Sequence, residues 1–225
     1  YGLSYSSFID KIDDFQMDYD KKEINISVIS QNIGNIASKN VIELYYQSEY
    51  TEFDKNNGIE KSSINLIRFA KTKELKPKEK EIIKFNVSFD ELASYDRKIN
   101  QAYILESGNY YFALGEDVHQ ALNNILSIKG YNKSNSSYIS SNSDSSKVIS
   151  VNLENNYIFN EGINATIKNN LESADINYYY DNEEFSYLSR SDYESTYPKE
   201  INNLIANEKI INSLKDDFDY ISKPI

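Results

Sequence analysis

The sequence predicts a mainly β protein, an immunoglobulin-like β-sandwich with a short helix and a mixed, partly irregular C-terminal extension. Three observations carry this. Apolar and polar residues alternate through several runs of strand length, the period that puts one face of each strand in a core. Turn residues separate these runs, giving about seven strands in all. Past Gly115 the period lengthens to that of a helix, and a Ser- and Asn-rich stretch follows.

Taken in order, Phe8 to Tyr19 holds Ile9, Ile12, Phe15 and Met17 in mixed spacing, and a first strand is expected near Asp13–Tyr19. In Glu23–Ser48, Ile24, Ile26 and Val28 alternate with Asn25 and Ser27, and Ile42, Leu44 and Tyr46 alternate with Glu43 and Tyr45. Between these two strands Asn32-Ile33-Gly34-Asn35 reads as a turn, since Asn and Gly tolerate positive φ. Glu49 to Lys61 is acidic and polar, with Asn56-Asn57-Gly58 as a turn signal, and reads as a long loop. Ile64 to Ala70 is a short apolar run, and Leu75-Lys76-Pro77-Lys78 is a turn in which Pro77 ends any ladder. In Glu81–Phe89, the set Ile83, Phe85, Val87 and Phe89 faces inward. One helical turn capped by Asp90 is expected next, then strands at Tyr103–Leu105 and Tyr110–Leu114 around a Ser107-Gly108 turn.

Val118, Ala121, Leu122, Ile125 and Leu126 mark an amphipathic helix. Lys133 to Ser146 reads as a flexible linker. Val148–Leu153 alternates like a strand, Asn164–Leu171 is ambiguous, Phe185–Leu188 is short and apolar, and Glu200–Phe218 reads as a polar helix. The organisation expected is a lead-in over 1–7, a sandwich over 8–130, a linker over 131–147 and an extension over 148–225.

Composition narrows the function. A chain of 225 residues can bury a sizeable core. Its net charge of −11 argues against nucleic-acid binding, which needs a basic face, and fits neutral or cationic partners. It has no cysteine, hence no disulfide and no thiolate metal site. The single histidine, His119, leaves little room for histidine-rich metal sites or a Ser-His-Asp triad and reads as a structural residue. No run has the length of a membrane span. No cofactor is implied. The Asn-, Ile-, Lys- and Tyr-rich composition suggests a soluble bacterial protein, cytoplasmic or secreted, and the start without Met or a leader suggests that the chain begins inside a longer one.

The segments between the strands resemble those of glycoside hydrolase family 3. Tyr1-Gly2-Leu3-Ser4-Tyr5-Ser6-Ser7-Phe8 resembles the Tyr-Gly-Leu-Ser-Tyr-Thr-x-Phe segment with which that family leaves its second catalytic domain and enters a fibronectin type III-like domain. Asn32-Ile33-Gly34 stands where that domain has Asn-Thr-Gly, and Val41–Tyr46 resembles its Glu-Val-Val-Gln-Leu-Tyr-type strand. Leu66–Lys71 resembles Leu-x-Gly-Phe-x-Lys, and Leu75-Lys76-Pro77 resembles Leu-x-Pro-Gly-Glu. Leu92–Asp96 resembles Leu-x-x-Tyr-Asp, and Glu106–Tyr110 resembles Glu-x-Gly-x-Tyr. The matches run in consistent order from Tyr1 to about Gly130. The tail, with Tyr187–Tyr193 and Thr196-Tyr197-Pro198, is similar to a subset of the family in which the barrel domain follows the sandwich. The resemblance implies a parent enzyme, a retaining β-glucosidase of carbohydrate metabolism that uses two carboxylates on domains absent from this chain.

No catalytic residue is assigned within the chain. Ser191-Asp192-Tyr193 invites comparison with the family's Ser-Asp-Trp nucleophile motif, but it lacks the buried apolar run that ends a barrel strand, and a loop carboxylate is the preferred reading. Asp13-Asp14 and Asp216-Asp217 lack the spacing of a calcium loop and read as solvated charge, so no metal site is expected. The candidates for sugar contact are Tyr45, Tyr46, Tyr50 and Phe53, set against the plainer role of tyrosine as a strand former. Two functions are therefore weighed. One is a non-catalytic accessory domain that braces catalytic domains, its Glu49–Lys61 loop reaching the parent's active-site rim. The other is a carbohydrate-binding module that takes an oligosaccharide on exposed tyrosines.

Overall fold

Alternation along Glu23–Asn32 buries Ile24, Ile26 and Val28 on one face and leaves Asn25 exposed on the other, so this strand must be covered on one side only. The computed structural model describes residues 5–137, 139, 143–159, 171–179, 185–197 and 206–218, in two compact units, Tyr1–Glu161 and Gly162–Ile225. The motif residues Tyr1 to Ser4 and most of Asn164–Leu171 lie outside the described residues.

The first unit runs β1 (Phe8–Asp18), β2 (Glu23–Asn32), β3 (Val41–Ser48), α1 (Glu52–Asn57), β4 (Asn65–Lys71), β5 (Lys80–Ser88), β6 (Ser94–Asp96), β7 (Ala102–Leu105), β8 (Gly108–Gly115), α2 (Val118–Ile128), β9 (Val148–Leu153) and β10 (Tyr157–Phe159). These strands form three antiparallel sheets, in the orders β1-β2-β5, β4-β3-β8-β9 and β10-β7-β6. The first two face each other. Ile24, Ile26, Val28, Phe85 and Val87 from one meet Ile42, Leu44, Phe112, Leu114 and Leu153 from the other in one core. Each such side chain, fully buried, contributes about 1.5–3 kcal/mol. Phe89 and Tyr157 pack edge to face, 5.3 Å between centroids, and join the small third sheet to this core. The mainly β sandwich is thus present.

Several elements depart from expectation for definable reasons. β1 is longer than the strand expected at Asp13–Tyr19 because a bulge between Ile12 and Asp14 shifts its register, so Ile12, Phe15 and Met17 all reach the core despite their uneven spacing. The loop after β3 contains α1, whose capping box pairs Thr51 with Asp54 and whose end falls at the left-handed Gly58. The turn after β5 covers Phe89–Leu92 and starts at Ser88, not Asp90, because the Glu91 carboxylate accepts the Ser88 N–H at 2.9 Å and its hydroxyl at 3.1 Å. Val148–Leu153, beyond the Ser- and Asn-rich segment in sequence, pairs with β8 as the outer strand of the four-stranded sheet. The described part of the segment between them is anchored, with Ile139 buried and the Asp144 N–H donating to Asn124 Oδ1 at 2.7 Å.

In the second unit, α3 (Tyr193–Thr196) and α4 (Glu208–Phe218) are the α-helices among the described residues, beside 3-10 turns at Glu172–Ala174 and Ile176–Tyr178. α4 starts later than the helix read at Glu200, and residues 200–205 lie outside the description. Asn177 clasps Phe185 in both directions, donating to its carbonyl at 2.8 Å and accepting its N–H at 3.0 Å.

Candidate functional site

The chain turns inward at α1. Asp54, the third residue of this helix, is fully buried, and its Oδ2 accepts the Thr51 N–H at 2.8 Å while pairing with Lys61 Nζ at 2.7 Å. Lys61 also pairs with Glu106 Oε2, and Thr51 Oγ1 donates to Glu106 Oε1 at 2.9 Å. One ammonium thus serves two carboxylates that have lost most of their water. Burial, more than any neighbour, pushes the Glu106 carboxyl above its ordinary range, while the Lys61 hydrogen bond opposes the shift.

Beside this cluster lies a cavity of about 400 Å³. Its apolar lining is Phe53 of α1, Ile104 of β7 and Ile158 of β10, the last two being direct cross-strand partners. Glu106, Ser107, Asn156 and Asn100 supply most of the polar lining. Two of these lining residues are joined to each other, the Ser107 N–H donating to Asn156 Oδ1 at 2.6 Å.

The four aromatic residues singled out in the sequence do not form one row. Tyr45 and Tyr46 project to opposite faces of β3. Tyr45 is buried beneath α2 with Ala113, Ala121 and Ile125, and its hydroxyl donates to Glu43 Oε2 at 2.5 Å. Burial first, and the Glu43 carboxylate next, push its hydroxyl well above the tyrosine range. Tyr46 packs toward the core, 6.4 Å from Phe112 between centroids. Tyr50 is half-buried, and Phe53 lines the cavity. In the second unit Asp192 caps α3, its Oδ1 accepting the Ser195 N–H at 3.0 Å. His119 is exposed in the first turn of α2. Among the described residues no group of three or more His, Cys, Asp or Glu is arranged to hold a metal, and no helix is long and apolar enough to cross a membrane.

Residues 40–118 match the fibronectin type III-like domain family. The chain is 32% identical over 136 residues to β-glucosidase A of Butyrivibrio fibrisolvens, a match covering 52% of this chain and 15% of that protein. It is 31% identical over 125 residues to a β-glucosidase of Ruminococcus albus, covering 54% and 12%. Residues 40–118 are a fibronectin type III-like domain of the glycoside hydrolase family 3 kind. The fold agrees with the crystal structure of a Kluyveromyces marxianus β-glucosidase in complex with glucose, at a TM-score of 0.53 and 20% identity over 71% of this chain and 15% of that one. The chain therefore spans a small part of the length of these relatives.

Within the fibronectin type III-like domain, residues that carried the resemblance have visible tasks. Asp96 is fully buried and accepts the N–H groups of Lys98, Ile99 and Asn100 at 3.0–3.1 Å, forming the turn into β7. Burial alone would raise its pKa, but these N–H groups outweigh it and hold the carboxyl below its ordinary value. Arg68, at the Gly position of the Leu-x-Gly-Phe-x-Lys pattern, donates Nε to the Asn86 carbonyl at 2.9 Å and Nη2 to Glu91 at 2.5 Å, tying β4 to β5.

One face of the fibronectin type III-like domain is half covered. On the outer side of the four-stranded sheet, α2 packs over Tyr45, Ala113 and Val148, and Gly115 makes its approach possible, since a Cβ there would lie 2.7 Å from the Ala121 nitrogen. The other half of that face, on β3 and β4, presents Val41, Leu66 and Phe69. Phe69 is 70% exposed. The sequence shows these residues as an apolar run but not which of them face outward, because a bulge at Leu44/Tyr45 resets the alternation on β4.

Proposed function

We propose that this chain is a non-catalytic accessory domain of a larger β-glucosidase-type enzyme, and that it braces the catalytic domains through the open half of its four-stranded sheet. The observation that carries the reading is the Val41–Leu66–Phe69 surface. Val41 lies opposite Lys71, and Glu43 opposite Phe69, so Val41 and Phe69 are diagonal neighbours on one face. Three large apolar side chains, Val41, Leu66 and Phe69, exposed together on one sheet face have the character of a contact left without its partner. Similarity to a limited stretch of each β-glucosidase supports the same reading.

The catalytic chemistry then belongs to carboxylates on the other domains. Within this chain the buried Asp54 and Glu106 are engaged with Lys61 and Thr51, and Asp192 is engaged as a cap. The placement of Tyr45 beneath a helix and of Tyr46 toward the core speaks against a binding platform made of exposed tyrosines. A panel of aryl β-glycosides tests the proposal. The full-length parent hydrolyses one or more of them and this chain alone hydrolyses none; turnover by the isolated chain would overturn it.

A further inference from the structure

We infer that the cavity between α1, β7 and β10 is a binding site for a neutral saccharide ring, separate from the bracing face and independent of the bracing role. The argument rests on which polar groups around the cavity retain hydrogen-bonding capacity. Asn156 uses its Oδ1 for the Ser107 N–H and keeps both amide N–H donors. Asn100 uses its Nδ2 for Asp96 at 2.8 Å and keeps its Oδ1 acceptor. The Ser107 hydroxyl makes no hydrogen bond among the described residues and can act either way. Glu106 is engaged by Thr51 and Lys61, which fix its carboxylate, and each of its oxygens retains a lone pair. The cavity therefore offers both donors and acceptors beside three apolar side chains, the cross-strand pair Ile104 and Ile158 and the ring of Phe53.

This inventory discriminates between ligand classes. An anion would meet Glu106 and the buried Asp54, with only one of the two charges offset by Lys61. A guanidinium or ammonium group carries donors only and would leave the Asn156 amide facing another donor. A purely apolar ligand would cover the Asn and Ser groups without replacing their water, at a cost for each. A saccharide hydroxyl is donor and acceptor at once, and the C–H face of the ring is an apolar surface for Phe53 and the isoleucine pair. The volume, about 400 Å³, falls within the range of small-molecule sites.

The test is a two-dimensional ¹H–¹⁵N NMR titration of this chain with D-glucose, with cellobiose and, as the cationic control, with N-acetyl-arginine amide. For a ligand this small the expected dissociation constant is on the order of 1 mM. The expected result is that one or both saccharides shift the backbone amides of Phe53, Ser107 and Asn156, and that the arginine derivative does not. Phe53→Ala, at a half-buried position on a short helix, weakens binding about tenfold while leaving the remaining spectrum in place. Ser107→Ala, which removes an exposed hydroxyl and nothing structural, weakens it about threefold. Three results would overturn the inference: no shift at these amides at about ten times that concentration, shifts with the arginine derivative alone, or saccharide shifts that both substitutions leave unchanged.

Discussion

Ser6 Oγ donates to Asn32 Oδ1 at 2.8 Å, and with this bond the chain that enters the sandwich is fastened to the end of its central strand. Asn32 is fully buried and has every hydrogen-bonding group engaged. Its Oδ1 also accepts the Gly34 N–H at 2.9 Å, and its Nδ2 donates to the carbonyls of Ile36 and Leu75, each at 2.8 Å. One amide thus holds three separate segments. Gly34 is needed because of this closeness, not for a left-handed backbone, since a Cβ there would lie 2.5 Å from Ser6 Oγ and 2.8 Å from the Ser7 nitrogen.

Asn32→Ala removes four hydrogen bonds from a buried site, those to Ser6, Gly34, Ile36 and Leu75, and leaves a cavity where the amide tied these segments together. The expected loss is about 3 kcal/mol, read as a lower urea midpoint with an unchanged slope. Gly34→Ala is expected to destabilise by a comparable amount, through displacement of the Ser6–Ser7 segment.

A second prediction concerns the ion pair of Arg68 and Glu91. The Arg68 hydrogen bond above all, aided by the Ser88 N–H, holds the Glu91 carboxyl below its ordinary value of 4.5. The folded-state pKa is therefore depressed relative to the unfolded chain, so this pair's contribution is present above pH 4.5 and disappears as pH falls through the folded value. Unfolding of the chain and of Glu91→Gln, measured across the acid range, is expected to differ at neutral pH and to converge at low pH. Parallel curves throughout would remove the ion pair as the cause.

A third prediction follows from the sharing of Lys61 between Asp54 and Glu106. Lys61→Met keeps the stem and removes the charge that compensates two buried carboxylates. The loss at neutral pH is expected to be about 3–5 kcal/mol. Glu106 already sits above its ordinary value because of burial, and without Lys61 it rises further. A raised folded pKa works in the opposite sense to that of Glu91: the variant is expected to regain stability as pH falls through that raised value and the carboxyl takes up a proton. Thermal unfolding at neutral and acid pH checks both the size and the direction.

The strands were legible in the sequence where one face is dry and one wet over an unbroken run. Ile24-Ile26-Val28 and Phe85-Val87-Phe89 declare their faces because nothing interrupts their period of two. Where a bulge inserts a residue, as between Ile12 and Asp14, the same apolar residues look irregular and the strand reads short. The cavity was hardly legible at all. Of the residues weighed for sugar contact only Phe53 lines it, because its other walls come from β7 and from a three-residue strand beyond the Ser- and Asn-rich segment. Buried polar residues such as Asp54 and Asn124 were equally silent, since their partners are set by the tertiary fold; Asn124, for instance, donates to the Leu114 carbonyl at 2.9 Å. Two local patterns were clues of this kind: Asn32-Ile33-Gly34 marks the buried Asn32, and Leu-x-x-Tyr-Asp marks Asp96 and the turn that it organises.

The bracing role is tested most directly by the thermal midpoint of the full-length parent carrying Phe69→Lys, with the same substitution in this chain as the reference. Phe69 is exposed on an edge strand, so the isolated chain is expected to change by no more than about 0.5 kcal/mol. In the parent, where the account puts this side chain against the catalytic domains, the midpoint is expected to fall by several degrees, in line with about 2–3 kcal/mol for a buried aromatic replaced by a charge. An unchanged midpoint in both proteins would contradict the account and leave the open half of the sheet facing solvent.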